Sequence, residues 1–548
     1  MNRRAVLLSA SLLLSLCALL QAQPDGSART SYGGQLVMGF LVDRPVAFNP
    51  FEVGSTAEKE IHQLVFGYGL AKKPDKITNP PDLISRYLSD PGDSGYRVWH
   101  ILLDRNVNFH NGDNLRNRDV IFTFRLLQRY GGRILNRQLD FGNIAEIEGN
   151  GDLELIFRLR DPDPEFGLKL SDVPIISEDY YAEAMTRGYR VFREKAPMGM
   201  GPFRLGSRSD SLLILPYHPH YYSGRPFLDR VEVRLFRDEQ RLIDALVNGR
   251  VDYIELADRG TARRLYDLLG TKIQVFTVPR PEVEVSMILW NVNRFPLSEA
   301  PVRRAIHLAV DRRSMVQSLM KDYGRVATTL IKPSNPYYQR SMFDDRYDPR
   351  SALEILEGAG WRVNRQSGLL EKNGRPLAFP LYFTRHSSLE ESMARTIKLE
   401  LGELNIDVQP VPVDGADKEE RLRRSDYPAM LYTYVYDPEY LYEAFDAFYR
   451  EILGAGQPVP NYTNRYLDRL FELTEAGRSP RKNLYERTQM FWQSEKPALF
   501  LFFDERIIIC LDRRFQDFRS TFQDGNRFYV RMNPIENWFI PKDRQRTP

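Results

Sequence analysis

The chain has 548 residues, of which 42% are hydrophobic and 27% charged, and its 76 lysines and arginines nearly balance 73 aspartates and glutamates. That length exceeds what one compact core supports and predicts two to four domains. The near-neutral balance gives no footing for nucleic acid or a charged membrane surface, and two cysteines exclude a disulfide framework.

Residues 1–22 carry Arg3 and Arg4, then the apolar run Ala5 to Leu20, then Gln21-Ala22, the pattern of an export signal cleaved after Ala22. The run is shorter than the roughly 20 residues that span a bilayer. Cleavage leaves Cys510 as the one remaining cysteine, so no intramolecular disulfide is expected and stability must come from the cores. Leu14-Ser15-Leu16-Cys17 offers a second reading, lipid anchoring through Cys17, although such sites usually place a small residue where Leu16 stands. A polar linker follows at 23–32.

Strand signals recur at Leu36 to Val42, Arg97 to Leu103, Leu153 to Arg158, Ser211 to Leu215 and Val231 to Phe236, interleaved with helical periods at Ser55 to Phe66, Gln240 to Val247 and Thr261 to Leu269. From Asn291 helices and strands alternate. Pro301 opens a helix whose apolar stripe runs through Val302, Ala305, Ile306, Ala309, Val316, Leu319 and Met320, leaving Arg304, Asp311 and Arg312 outside. Asp348-Pro349 starts another that Gly360 closes before Trp361. Leu377 to Thr384, Leu389 to Leu404 and Ile406 to Val413 then read as a βαβ unit. Pro497 to Leu511 is apolar on both sides of Asp504-Glu505-Arg506.

The most specific segment is Phe109 to Phe124, FHNGDNLRNRDVIFTF. Asn111-Gly112 lets the chain reverse, Asp119 can take orphan amides of a helix start, and Val120, Ile121 and Phe124 follow at helical spacing. In its order of residue types this segment resembles the signature of the family 5 extracellular solute-binding proteins, the receptors of bacterial peptide, dipeptide and nickel import. Further landmarks resemble that family in the same order: Pro197 to Phe203 (PMGMGPF), Tyr221 to Asp229 (YYSGRPFLD), Ala245 to Tyr253 (ALVNGRVDY), Asn291 to Asp311 and Ala352 to Trp361 (ALEILEGAGW).

The resemblance implies an α/β, two-lobed periplasmic-binding-protein fold of type II, cluster C-like, with a hinge between lobes. The larger lobe would span 33–285 with a subdomain inserted at about 70–195, the second lobe 286–505, and 506–548 would return to the larger lobe. Two chain crossings join the lobes, the outward one near Thr277 to Asn291 and the return within Pro497 to Leu511. The implied function is capture of a small solute, an oligopeptide or dipeptide by family frequency, by lobe closure and delivery to an ABC permease with a separate ATPase; a sugar or nickel chelate is the alternative. A monomer without cofactor, metal or nucleic-acid partner is expected, exported to the periplasm or another extracytoplasmic space.

Resemblance also suggests the binding residues. Arg385, after a strand and ahead of a helix, stands close to where the dipeptide branch holds the ligand carboxylate, and its fork suits that task; a surface arginine is the competing account. Tyr434 occupies the place of the aspartate that meets the ligand amine, so the usual ammonium anchor is missing, and Asp437 stands nearby in the Asp437-Pro438 turn. Tyr432, Tyr434 and Tyr436 share one strand face, which either offers stacking surface at a cleft or belongs to a core. Ser55 and Thr56 either line the cleft or cap a helix. Trp290 lies at the end of the outward crossing. Among catalytic motifs, Ser318 and Lys321 form S-x-x-K without its companion elements, and His218 with His220 forms H-x-H without a third ligand. No enzyme activity is expected.

Overall fold

The computed structural model describes residues 32–545, leaving out 43, 68, 71–82, 90–95, 136, 164–165, 172, 257–258, 321–323, 343–345, 456–460, 476–477 and 525–526. The leader, the Cys17 site and most of the linker therefore lie outside the described residues.

Two long neighbouring strands organise the chain. Ile273–Trp290 and Ala498–Asp512 pair antiparallel over most of their lengths and share one extended sheet. At one end of that pair the sheet continues through Tyr253–Leu256, Gln35–Leu41, Arg230–Phe236 and Leu212–Pro216; at the other it continues through Ala429–Tyr436, Ala378–Thr384 and Asp407–Val413. Each end carries its own helices and cores, which makes two lobes. Apolar residues of one parity on Ile273–Trp290 (Val283, Val285, Met287, Leu289) enter one core of the second lobe, while Ile288 and Trp290 enter the core on the opposite face. A strand buried on both faces explains its near-continuous apolar run.

The larger lobe contains a separate cluster built on a four-stranded antiparallel sheet, including Val98–Leu103, Glu154–Leu159 and Ile144–Asn150, with the helix Asn117–Tyr130 against it. The C-terminal segment returns to this lobe: Phe515, Phe518, Trp538 and Ile540 pack with Leu36, Met38 and Leu215. The expected βαβ unit is present, with Ala378–Thr384 and Asp407–Val413 parallel and the helix Ser388–Gly402 between them in sequence. The strands expected in the larger lobe, and the helices expected from Ser55 and Gln240, sit within one residue of their expected positions, and the helix expected from Thr261 begins two residues earlier.

One helix departs from expectation. The stripe begun at Pro301 does not continue unbroken to Met320: the helix Ala300–Ala309 stops at Val310, whose ψ of 117° is extended, and short turns follow over Arg312–Met315 and Val316–Met320. The break turns Arg312 inward rather than outside. Its side chain is 1% exposed, and Nη1 donates to the Ala327 and Phe500 carbonyls while Nη2 donates to His307 Nε2. A periodic pattern cannot register that a buried guanidinium has found carbonyls on distant segments.

Candidate functional site

The parallel strands of both lobes end toward the space between them. Arg230–Phe236 runs into Asp238 and Glu239 from the larger lobe, while Ala378–Thr384 and Asp407–Val413 run into Arg385 to Ser388 and Asp414 from the second. A crevice outside the carboxyl ends of parallel strands is the usual ligand position in such sheets.

The hinge lies at the back of this crevice. Pairing of the two crossing strands is regular to Pro279–Arg506 and resumes at Glu284–Asp504, so Arg280 to Val283 face only Glu505 on the partner strand. A bulge of this size releases ladder hydrogen bonds and allows bending. Charged groups gather there. Arg280 donates to Asp504 at 2.9 Å and pairs with Glu284 at 2.8 Å, and Lys59, on the helix Thr56–Phe66, donates to Glu282 at 2.7 Å. Burial works against the Arg280 charge, but Glu284 and Asp504 outweigh it and keep the guanidinium charged. Burial, with the neighbouring Glu255 and Glu282, pushes Glu60 well above the usual carboxylate range, and burial also raises Glu255, Glu284 and Asp504. Burial opposes ionisation of Glu282 too, yet Lys59 prevails and lowers it.

Two further sets of contacts join the lobes directly. Arg133 of the larger lobe and Glu451 of the second form a bidentate ion pair, and His386 Nδ1 lies 3.4 Å from Asp238 beside a bond from the Ser388 hydroxyl to Glu239. The described lobes are therefore in contact across the crevice. None of Arg133, Glu451 and Asp238 stands out in the sequence. The one legible signal at the hinge is charge inside otherwise apolar strands: Arg280, Glu282 and Glu284 on one, Asp504 to Arg506 on the other.

Of the residues singled out from sequence, Arg385 sits at the strand end facing the crevice, 46% exposed, with Nε on Asp414 at 2.9 Å and Nη2 on the Pro412 carbonyl. Nη1 has no described protein partner. Ser55 caps the helix Thr56–Phe66 by accepting from the Glu58 amide, and Thr56 is its first residue. Asp437 accepts from the Glu439 amide and so shapes its turn. Tyr434 and Tyr436 belong to the core rather than to the crevice surface: they are 0% and 4% exposed, pack with Phe445 and Phe448, and donate to the Ala444 and Leu330 carbonyls. Tyr432 alone of the three stays partly open. Trp290 is likewise a core residue, stacked edge-on against Phe379 six residues beyond Glu284, about 20 Å along the strand from the hinge.

Ser318 is exposed and donates to the Met315 carbonyl, and Lys321 lies outside the described residues. His218 is buried, its Nδ1–H donating to the Gly201 carbonyl, whereas His220 is exposed. Among the described residues no group of three or more His, Cys, Asp or Glu side chains is placed to hold a metal ion, and no helix is long and apolar enough to cross a membrane.

The signature segment has a structural job. His110 Nδ1 accepts the Gly199 amide and Nε2–H donates to the Gly201 carbonyl, while the Gly201 and Phe203 amides bond to the Val65 and Leu64 carbonyls. Signature, glycine loop and the end of the helix that begins at Ser55 are thus tied together. Gly199 and Gly201 are required by proximity, since an added Cβ would lie 2.2 Å from the Val65 oxygen or 2.4 Å from the Leu64 oxygen.

A two-lobed α/β receptor with paired crossing strands, a broken register between lobes and a crevice at the strand ends is the type II periplasmic-binding-protein class. Comparison with known proteins carries this further: residues 84–451 match the family described as bacterial extracellular solute-binding proteins, family 5 (middle), and the chain belongs to that family. It is 24% identical to the oligopeptide-binding protein AppA of Bacillus subtilis over 92% of this chain and 94% of that protein. The structure of AppA in complex with a nonapeptide superimposes with a TM-score of 0.72, at 21% identity, over 93% of this chain and all of that one. The nickel-binding periplasmic protein of Escherichia coli is 24% identical over 57% of this chain and 59% of its own. Proteins of this family are extracytoplasmic substrate-binding components of ABC import systems.

Proposed function

We propose that this receptor captures a short peptide by hinge closure and delivers it to an ABC permease served by a separate ATPase. The observation that carries the reading is the register break between the two crossing strands, which lets two cored lobes bend toward each other around a crevice. Residues 1–22 act as the export signal, and the lobes divide as 33–285 and 286–505 with 506–548 completing the larger one. The likeness to AppA favours oligopeptides. In the crevice, Arg385 with its unpaired Nη1 offers a charge-assisted donor to a ligand carboxylate. Tyr434, turned into the core, supplies no anchor for a ligand amine.

A nickel chelate is the second reading, favoured by the nickel-binding relative. Native mass spectrometry of the purified protein separates them: a retained peptide supports the proposal, and a nickel adduct replaces it with the alternative. Arg385→Ala is expected to weaken binding of the peptide so identified by roughly 10-fold to 150-fold, the equivalent of about 1.5–3 kcal/mol. Its C-terminally amidated form should bind the parent and the variant equally. A variant that binds the free acid as tightly as the parent does removes Arg385 from the site.

A further inference from the structure

We propose that Arg133 and Glu451 are the two halves of a latch that holds part of the receptor population closed before any solute enters. The inference rests on the reading above that closure is the working motion. The two residues stand 318 positions apart in sequence, one in each lobe, and neither belongs to a crossing strand. Nη1 donates to Oε2 and Nη2 to Oε1, the bidentate geometry in which an arginine fork is strongest and most directional.

Each half is mounted on a fixed element. The Arg133 and Leu135 amides donate to the Phe51 and Val53 carbonyls, which joins Arg133 to the strand Glu52–Val53 leading directly to Ser55. Glu451 belongs to the turn Phe448–Ile452, whose Phe448, Tyr449 and Ile452 are buried. The helix Leu441–Ala447 just before it approaches the strand Arg137–Gln138 just after Arg133, so backbone from both lobes meets beside the pair. The latch therefore links the strand leading to the cap of the crevice helix with the turn Phe448–Ile452 of the second lobe.

Exposure fits a contact that must open. Side chains 39% and 29% exposed can part without stranding a charge in an apolar core, unlike Arg280 and Asp504 at 11% and 3%. Tyr432 lies close enough to feel both charges, and its hydroxyl has no hydrogen-bond partner among the described residues. Other charges near it are Glu419, while Arg450 is held by Asp446 at 2.6 Å and does not compete for Glu451.

The test reads lobe separation without a ligand. Nitroxide labels on Asp152→Cys in the larger lobe and Lys398→Cys in the second report their distance by pulsed electron resonance; Cys510 is buried and stays unlabelled. The parent is expected to show a short-distance, closed population at low salt. Glu451→Arg should lower the closed-to-open ratio about threefold to tenfold, 1 M salt should lower the parent's ratio in the same direction, and the exchange Arg133→Glu with Glu451→Arg should restore it. Glu451→Gln replaces the reversal if that variant does not fold. An all-open parent, an unchanged ratio in the variant, or no recovery in the exchange overturns the latch. Failure of every peptide to bind, with these distances behaving as expected, would remove the peptide reading and leave the latch standing.

Discussion

At the scale of single residues, the segment most diagnostic of the family acts as a fastener. Burial, with His218 beside it, pulls the His110 pKa down to about 3 against the Gly201 carbonyl, which raises it, and the neutral ring can then accept the Gly199 amide on Nδ1. The same reasoning makes Gly199 intolerant of any side chain: an added Cβ would sit 2.5 Å from the Phe66 Cα as well as against the Val65 oxygen, and neither is a flexible side chain. Gly199→Ala should cost about 3 kcal/mol in urea unfolding. A loss below about 1 kcal/mol would mean that the backbone at 64–66 gives way and that the loop is not a tight fastener. His110 was readable as part of a motif, but its partners were not, since 89 residues separate it from Gly199.

At the scale of elements, the hinge depends on how two strands share buried charge. Removing Arg280 would leave Asp504 and Glu284 without the cation that offsets their burial, so Arg280→Met should destabilise the protein by about 3–5 kcal/mol at pH 7.5. Both carboxyls already have raised pKa values, and in the variant they would take up protons at higher pH still. The deficit of Arg280→Met relative to the parent should therefore shrink at pH 5. Equal deficits at the two pH values, measured by denaturant titration, would mean that packing and not charge explains the loss. The return crossing was legible as an apolar run with a charged centre and the outward one through the family resemblance, yet the four-against-one register break between Pro279 and Glu284 was not, because register depends on both strands at once. The same limit applies to Tyr434 and Tyr436: alternation placed them on one face, and only the packing of Phe445 and Phe448 assigned that face to a core.

At the scale of the whole molecule, acid acts on two opposed sets of groups. Burial lowers His110 to about 3 and His218 to about 4, so the unfolded chain binds more protons than the folded one between those values and the ordinary 6.5. Their contribution is fully present above pH 6.5 and fades as pH falls. Glu60, Glu255 and Glu284 work the other way, since their raised folded pKa values make the folded chain the better proton acceptor as pH drops. A variant isolates one set. His218→Asn should lose about 2 kcal/mol less than the parent between pH 7 and pH 5, measured by urea unfolding at both pH values. Parallel losses in parent and variant would show that His218 is protonated in the folded state.

What the sequence determined by itself was local and periodic: the strands and helices of both lobes, the caps at Ser55 and Asp348, the βαβ unit ending at Val413, and the ordered landmarks from Phe109 to Trp361 that mark the family. Such features depend on neighbours within a few positions, where side-chain type and spacing suffice. Only the tertiary structure decided which faces became cores, where Arg312 turned in, where the crossing strands slipped register, and that Arg133 meets Glu451. Those outcomes depend on side chains meeting other segments, from Tyr434 on Ala444 to Arg133 on Glu451 318 positions away, and such encounters are set by how packed elements and lobes fit together and leave no periodic trace in either partner.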